Sequence, residues 1–165
     1  MSYADIIIPE FTHEMHSTRK VLERVPEDKL DWRPHPKSQT IGWNASHLAD
    51  LPCWTENILT EPSFDLHPPG GKPHQSPILK SSLEILTTFD KHVSSALKIL
   101  ESAKDDQVNE IWVLLKGAQP ISTMPRHMAF RSIVISHMIH HRAILCVYLR
   151  LNDIPVPGMY GPSGD

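Results

Sequence analysis

The side chains with the most chemistry to offer in this chain are imidazoles. Eleven histidines occur in 165 residues, and two of them stand four apart in Ser136-His137-Met138-Ile139-His140-His141-Arg142. On a helix that spacing puts both rings on one face, with Cβ atoms about 6 Å apart and able to converge on one ion. Spacing alone is weak evidence, because random placement of this many histidines gives roughly 0.7 such pairs. Position says more. Phe130, Val134, His137, His141, Ile144 and Tyr148 repeat at four, three, four, three and four, so both rings fall on a stripe expected to face a core. His47 does the same between Trp43 and Leu51. Desolvating an imidazole costs free energy unless the ring is hydrogen-bonded or ligated. Each ring could bond separately to a carbonyl or water. One divalent transition metal would satisfy all three at once, and that is the expectation here.

Three neutral imidazoles leave at least one coordination position open, the pattern of catalytic rather than structural sites. Such a position can lower the pKa of water towards neutral or hold a thiol as thiolate. No Glu lies between His137 and His141, so the zinc-protease arrangement is absent. Asn44 and Asp50, one turn either side of His47, could orient a ligand or contact substrate, or could be ordinary polar residues beside a helix face. Arg142 could bind an anionic substrate or form a salt bridge, and Tyr148 could line a pocket or pack in the core. No residue is singled out as catalytic. Zinc, nickel, copper and iron all accept imidazole, with zinc or nickel the first expectation. The other histidines carry no assigned role: His13 and His16 lie off the apolar stripe of their helix, His140 is about 100° around from His141, His35, His67 and His74 fall in Pro-rich loops, and His92 and His127 fall on helix flanks.

Four periodic segments must position these rings. They run from about Tyr3 to Val25, Thr40 to Leu59, Ile78 to Ala103, and Met124 or Pro125 to Leu151. Pro52 should kink the second. Leu79, Leu83, Leu86, Val93, Leu97 and Leu100 mark the third. Between the second and third, Pro62 to Pro77 holds five prolines and two glycines and reads as a long crossover. Ile111 to Leu115, then Gly117 and Ile121, read as a small extended piece or hairpin before the last helix. The expected fold is therefore all-α, a four-helix bundle forming one domain over residues 1–165.

Composition narrows the function classes. Sixteen basic against nineteen acidic residues give a formal charge of -3, unlike the basic footprint of a nucleic-acid binder. The apolar run Ile6-Ile7-Ile8 sits between Asp5 and Pro9, too short for a secretory signal or a membrane span. Two cysteines, Cys53 and Cys146, form no disulfide framework and suit a reducing cytoplasm.

With these residues in view, the sequence resembles the DinB/YfiT-like family of bacterial metal-binding four-helix proteins. The likeness rests on Trp43 with His47-Leu48-Ala49-Asp50, on His137-x-x-x-His141-Arg142 with Tyr148-Leu149-Arg150, on Asp31-Trp32-Arg33-Pro34, and on Pro155-Val156-Pro157-Gly158-Met159-Tyr160-Gly161. It thins between Pro62 and Thr123. It implies a crossover bundle, often a homodimer, with a metal on His47, His137 and His141. Where many members continue from the Arg with Gly-Gln, this chain has Ala143-Ile144, which removes any role of that Gln. Some relatives resemble thiol-S-transferases using bacillithiol, mycothiol or glutathione, and others maleylpyruvate isomerases. The resemblance thus implies a small-molecule substrate and a low-molecular-weight thiol partner, with thiol-dependent transfer as the leading chemistry. The alternatives are a metal-dependent hydrolase or isomerase, or a non-catalytic protein whose metal is structural.

Overall fold

The computed structural model describes residues 1–165. Helix α1 spans Tyr3–Leu22 and opens with a capping box, in which Ser2 and Asp5 satisfy each other's backbone N–H groups. The second periodic segment is broken as Pro52 requires: α2 covers Ile41–Asp50, a tight turn covers Leu51–Cys53, and α3 covers Trp54–Thr60. Helix α4, Ser82–Ser102, is capped by the Ser81 hydroxyl. Its core face is Ile85, Phe89, Ala96 and Leu100, while Leu83 of the expected leucine stripe points to solvent. The last helix is a continuous rod, Arg126–Arg150, made of a short α5 (Arg126–Ala129), a π-helical stretch (Phe130–Ser136) and α6 (His137–Arg150). Helix α1 packs on α4 and α6, and α2 packs on the same two, which closes the bundle.

The all-α expectation is wrong. A three-stranded mixed sheet, in the order β1-β2-β3, lies against one end of the bundle. The anticipated hairpin is real: β2 (Ile111–Lys116) and β3 (Gln119–Pro125) pair antiparallel. They turn through Gly117 and Ala118, both with φ near +63°, the left-handed pair that a two-residue hairpin favours. The surprise is β1, Ser63–Asp65, inside the stretch read as a structureless crossover, which pairs parallel to β2. Its Asp65 carboxylate fixes the junction by accepting from the N–H groups of His67 at 2.9 Å, Gly117 at 3.0 Å and Ala118 at 2.8 Å. Three residues flanked by Pro62 and a Pro-Pro-Gly-Gly run offer no period that a sequence pattern could register.

By length and hydropathy the rod Arg126–Arg150 could cross a bilayer, but its inward groups are those of a core helix. Arg126 is buried and donates to the carbonyls of Ile58 and Glu61, both at 2.6 Å. Arg142, 2% exposed, pairs with buried Glu14 at 2.7 Å and donates to the Tyr160 hydroxyl at 2.6 Å. That hydroxyl in turn donates to Glu14 at 2.9 Å, tying the C-terminal tail to α1. Breaking one side of a buried, hydrogen-bonded pair leaves an uncompensated charge. Glu14→Leu should therefore lower unfolding free energy by about 3–5 kcal/mol, measured by urea denaturation. The double variant Glu14→Leu with Arg142→Leu should recover much of that loss. A single-variant loss below about 1 kcal/mol, the range of a surface pair, would show that the network is not desolvated as described.

Candidate metal centre

The site lies where α2 passes α6, and each ring has its own local reason for its orientation. Thr40 caps α2 by accepting from Trp43 N–H at 3.0 Å. One turn in, the Asn44 side-chain NH2 donates to the Thr40 carbonyl at 2.8 Å, which turns its Oδ1 outwards. That oxygen can only accept, so His141, with Nδ1 3.1 Å away, donates to it and keeps its lone pair on Nε2. His47 Nδ1 lies 3.4 Å from the Ser76 hydroxyl, and the Trp43 indole stacks on the His47 ring at 4.8 Å and 21°. His137 has the backbone of Ile133 as its polar neighbour.

The π-helical stretch decides where the His137–His141 pair points. His137 N–H bonds to the Ser132 carbonyl five residues back, and this one-residue excess shifts the phase of everything downstream. Phe130 and Val134 are core residues, but the core face then continues through Met138, Arg142, Leu145 and Leu149, one position later than a uniform 3.6 repeat gives. His137 and His141 are displaced to the flank of the core, half-buried, facing His47.

There the three Nε2 atoms meet. His137 Nε2 is 3.3 Å from that of His47 and 3.0 Å from that of His141. The edge of a tetrahedron of nitrogens around zinc is about 3.3 Å, from a Zn–N bond of about 2.05 Å. Lone pairs crowded at this distance repel unless a proton or a cation lies between them. The donor set is imidazole only, the nearest polar groups act on the outer sides of the rings, and the fit to a divalent transition metal is good. Burial, then the His137 ring, pulls the His47 pKa from 6.5 down to about 4. Burial, then His47 and His137, pulls His141 down to about 3. Both rings are thus neutral and available as ligands at physiological pH.

Beside the cluster is a cavity of about 300 Å³, walled mainly by apolar groups: Leu51 of the Pro52 turn, Trp54 of α3, Leu66 just past β1, Leu114 of β2 and Ile133 of the π stretch. Ser76 and His74 from the Pro-rich segment complete it. That segment is held in place because Leu79 N–H donates to Ser46 Oγ at 2.9 Å and His74 N–H to the Leu66 carbonyl at 2.8 Å. The His74 ring meets Trp54 and Phe64 edge-on at 5.2 and 5.3 Å.

The family model of the DinB superfamily matches residues 10–145, spanning His47, His137 and His141. The chain belongs to the DinB superfamily. Two solved DinB-like proteins share its fold. One, from Bacillus cereus ATCC 10987, is 21% identical with a TM-score of 0.70, over 93% of this chain and 95% of that one. The other, from Bacillus subtilis, is 17% identical with a TM-score of 0.65, over 89% and 92%. No curated protein matches the sequence. At such identities the likeness to solved DinB-like proteins concerns the fold, so the chemistry must be read from this chain's own residues.

Of the four neighbours considered from sequence in this DinB-superfamily chain, Asn44 alone touches a histidine of the cluster. Arg142 points the other way, into the core with Glu14. Tyr148 packs edge-on against Trp32 at 5.7 Å. Asp50 takes a hydrogen bond from Cys53 instead. Ser76 and His74 went unremarked as site residues, because a Pro-rich loop offers no period to align them with α2.

Two outcomes follow from this geometry. Asn44→Ala should weaken metal affinity about 10–100-fold, the usual effect of losing a group that orients a ligand, with circular dichroism unchanged; unaltered affinity would remove Asn44 from the site. In chelator-treated protein, the unfolded rings protonate below pH 6.5 whereas folded His47 and His141 resist to about 4 and 3. The unfolded state then binds more protons, so thermal stability should fall as pH drops from 6.5 towards 4. These rings add no slope above pH 6.5, and His47→Gln should flatten the fall below it.

Proposed function

We propose that this DinB-superfamily protein is a metal-dependent enzyme in which His47, His137 and His141 hold one divalent transition metal, zinc or nickel, and that its chemistry is thiol-dependent transfer onto a small electrophile. The observation carrying this reading is the convergence of three imidazole Nε2 atoms, that of His137 lying 3.3 Å from His47 and 3.0 Å from His141, at the edge of an apolar cavity. A divalent ion in such a donor set supplies Lewis acidity, which makes a thiol or water in its open position available in deprotonated form near neutral pH.

The chain's residues do the rest. Leu51, Trp54, Leu66, Leu114 and Ile133 exclude water from the cavity and favour an apolar electrophile of small size. Asn44 accepts from His141 Nδ1 and so leaves the inner nitrogen of that ring unprotonated, while the Ser76 hydroxyl, able to accept or donate, gives the outer side of His47 a polar partner. His74 adds the one lining imidazole outside the three-histidine cluster, a polar group for substrate to meet. Free Cys53 and Cys146 are consistent with a reducing cytoplasm, where low-molecular-weight thiols are abundant. A homodimer belongs to the same reading.

The test uses protein purified without a histidine tag and carrying Cys53→Ser and Cys146→Ser, so that the chain contributes no thiol. After cobalt loading, added glutathione should produce a sulfur-to-cobalt charge-transfer band in the near ultraviolet. His137→Ala should abolish it. A cobalt spectrum indifferent to thiol would overturn the transferase reading, and failure to take up one equivalent of cobalt would overturn the metal site itself.

A further inference from the structure

A second cluster of donors lies on the other side of the Pro52 break. Pro52 has no N–H to continue the α2 ladder, and the tight turn Leu51–Cys53 brings Cys53 Sγ to 3.6 Å from Asp50 Oδ1. Helix α4 supplies His92, whose Nδ1 donates to the Ala49 carbonyl at 3.0 Å. A carbonyl only accepts, so the neutral ring carries its lone pair on Nε2, the tautomer of a metal ligand with its outer N–H fixed. Asp50, Cys53 and His92 each bring a donor atom within 4.8 Å of the other two.

The decisive atom is Asp50 Oδ2. Asp50 is 5% exposed, and this oxygen has no hydrogen-bond partner. A buried carboxylate oxygen left unpaired is costly, and no lysine or arginine forms an ion pair with it, although Lys91 lines the adjoining cavity of about 220 Å³. From the metal–ligand lengths of zinc, a thiolate sulfur and a carboxylate oxygen sharing one tetrahedral ion should sit about 3.5 Å apart. Cys53 Sγ already stands 3.6 Å from the other oxygen of the same carboxylate, Oδ1, to which the thiol donates, so a shift between the two oxygens is all that shared ligation asks.

We propose that Asp50, Cys53 and His92 form a second divalent-cation site, of the zinc class, that fastens the α2–α3 break to α4. As the sulfur–metal bond forms, the Cys53 thiol releases its proton to solvent; no redox change is involved. A nucleophilic role for Cys53 fits less well, because burial and the Asp50 carboxylate push its thiol up to about 12. Glu56, which lines the same cavity, offers a further oxygen donor for a fourth position. The inference does not depend on the three-histidine site.

Untagged full-length protein, stripped by chelator and titrated with cobalt in the absence of any added thiol, reads the two sites separately, since the histidine site contains no sulfur. Two equivalents and a sulfur-to-cobalt band are expected for the wild type. His47→Ala should leave one equivalent and keep the band. Cys53→Ser should lose the band but keep one equivalent, and Cys146→Ser should change nothing. His92→Gln, which leaves the thiol intact, should weaken the band-forming equivalent by about tenfold or more, so the proposal stands testable even where Cys53→Ser fails to fold. Absence of a sulfur-to-cobalt band in folded wild type, or a band surviving Cys53→Ser, overturns the proposal. One equivalent with the band would mean the histidine site failed and this one held; one equivalent without it would mean the reverse.

Discussion

Three imidazole Nε2 atoms are brought to one point, with that of His137 3.0 and 3.3 Å from the other two, and much of the surrounding structure can be traced to that constraint. A neutral imidazole carries one proton, and where it sits is set by the partner of the outer nitrogen. The Asn44 amide is locked by the Thr40 carbonyl, so the proton of His141 must lie on Nδ1. The hydroxyl that caps α2 and the carbonyl that orients Asn44 belong to the same Thr40. Helix initiation and the orientation of Asn44 are thus a single local arrangement, and the bond from His141 to Asn44 carries it across from α2 to α6.

The adjacent residues His141 and Arg142 show how one helical turn serves opposite purposes. Separated by about 100° around the axis, the imidazole turns to the cleft and the guanidinium to the core. Arg142 meets Glu14 of α1, with Tyr160 of the tail closing the group. A fixed charge pair of this kind stabilises little beyond its own desolvation cost, but it specifies a single rotation of the helix. That rotation is what His141 needs. The buried ion pair thus agrees with the phase that the π-helical stretch sets for the neutral ring next to it, without touching the cleft.

Much of this could be read from residue order. The four helical segments, the break at Pro52 and the hairpin after Ile111 all follow from periodicity and from proline or glycine chemistry. That His47 meets His137 and His141 was also legible, because all three occupy helical stripes among large apolar residues. What escaped has identifiable causes. The π-helical stretch hides in a sequence whose 3.6 repeat looks unbroken, and it turns Arg142 inwards where the pattern pointed to His141. Strand β1 is too short for a period to emerge, so the all-α expectation missed the sheet. Ser76 reaches His47 through a hydrogen bond from Leu79 to Ser46, a contact across thirty-three positions that no local pattern encodes. Asp50 looked like a neighbour of His47 by spacing, but the turn at Pro52 gives its side chain a different companion.

The pairing of β1 with β2 joins parts of the chain about fifty residues apart, at Ser63↔Val113 through Asp65↔Leu115. It is also only three residues long, and parallel pairing is slightly weaker per residue than antiparallel. Leu66 and Leu114, which wall the cavity, hang on either side of this seam. What holds so short a seam is its surroundings: the Asp65 carboxylate accepts from Gly117 and Ala118, and Leu66 N–H donates to the Leu115 carbonyl just past the strand end. Through this seam the Pro-rich segment keeps its anchorage on the sheet, and with it the place of Ser76 beside His47.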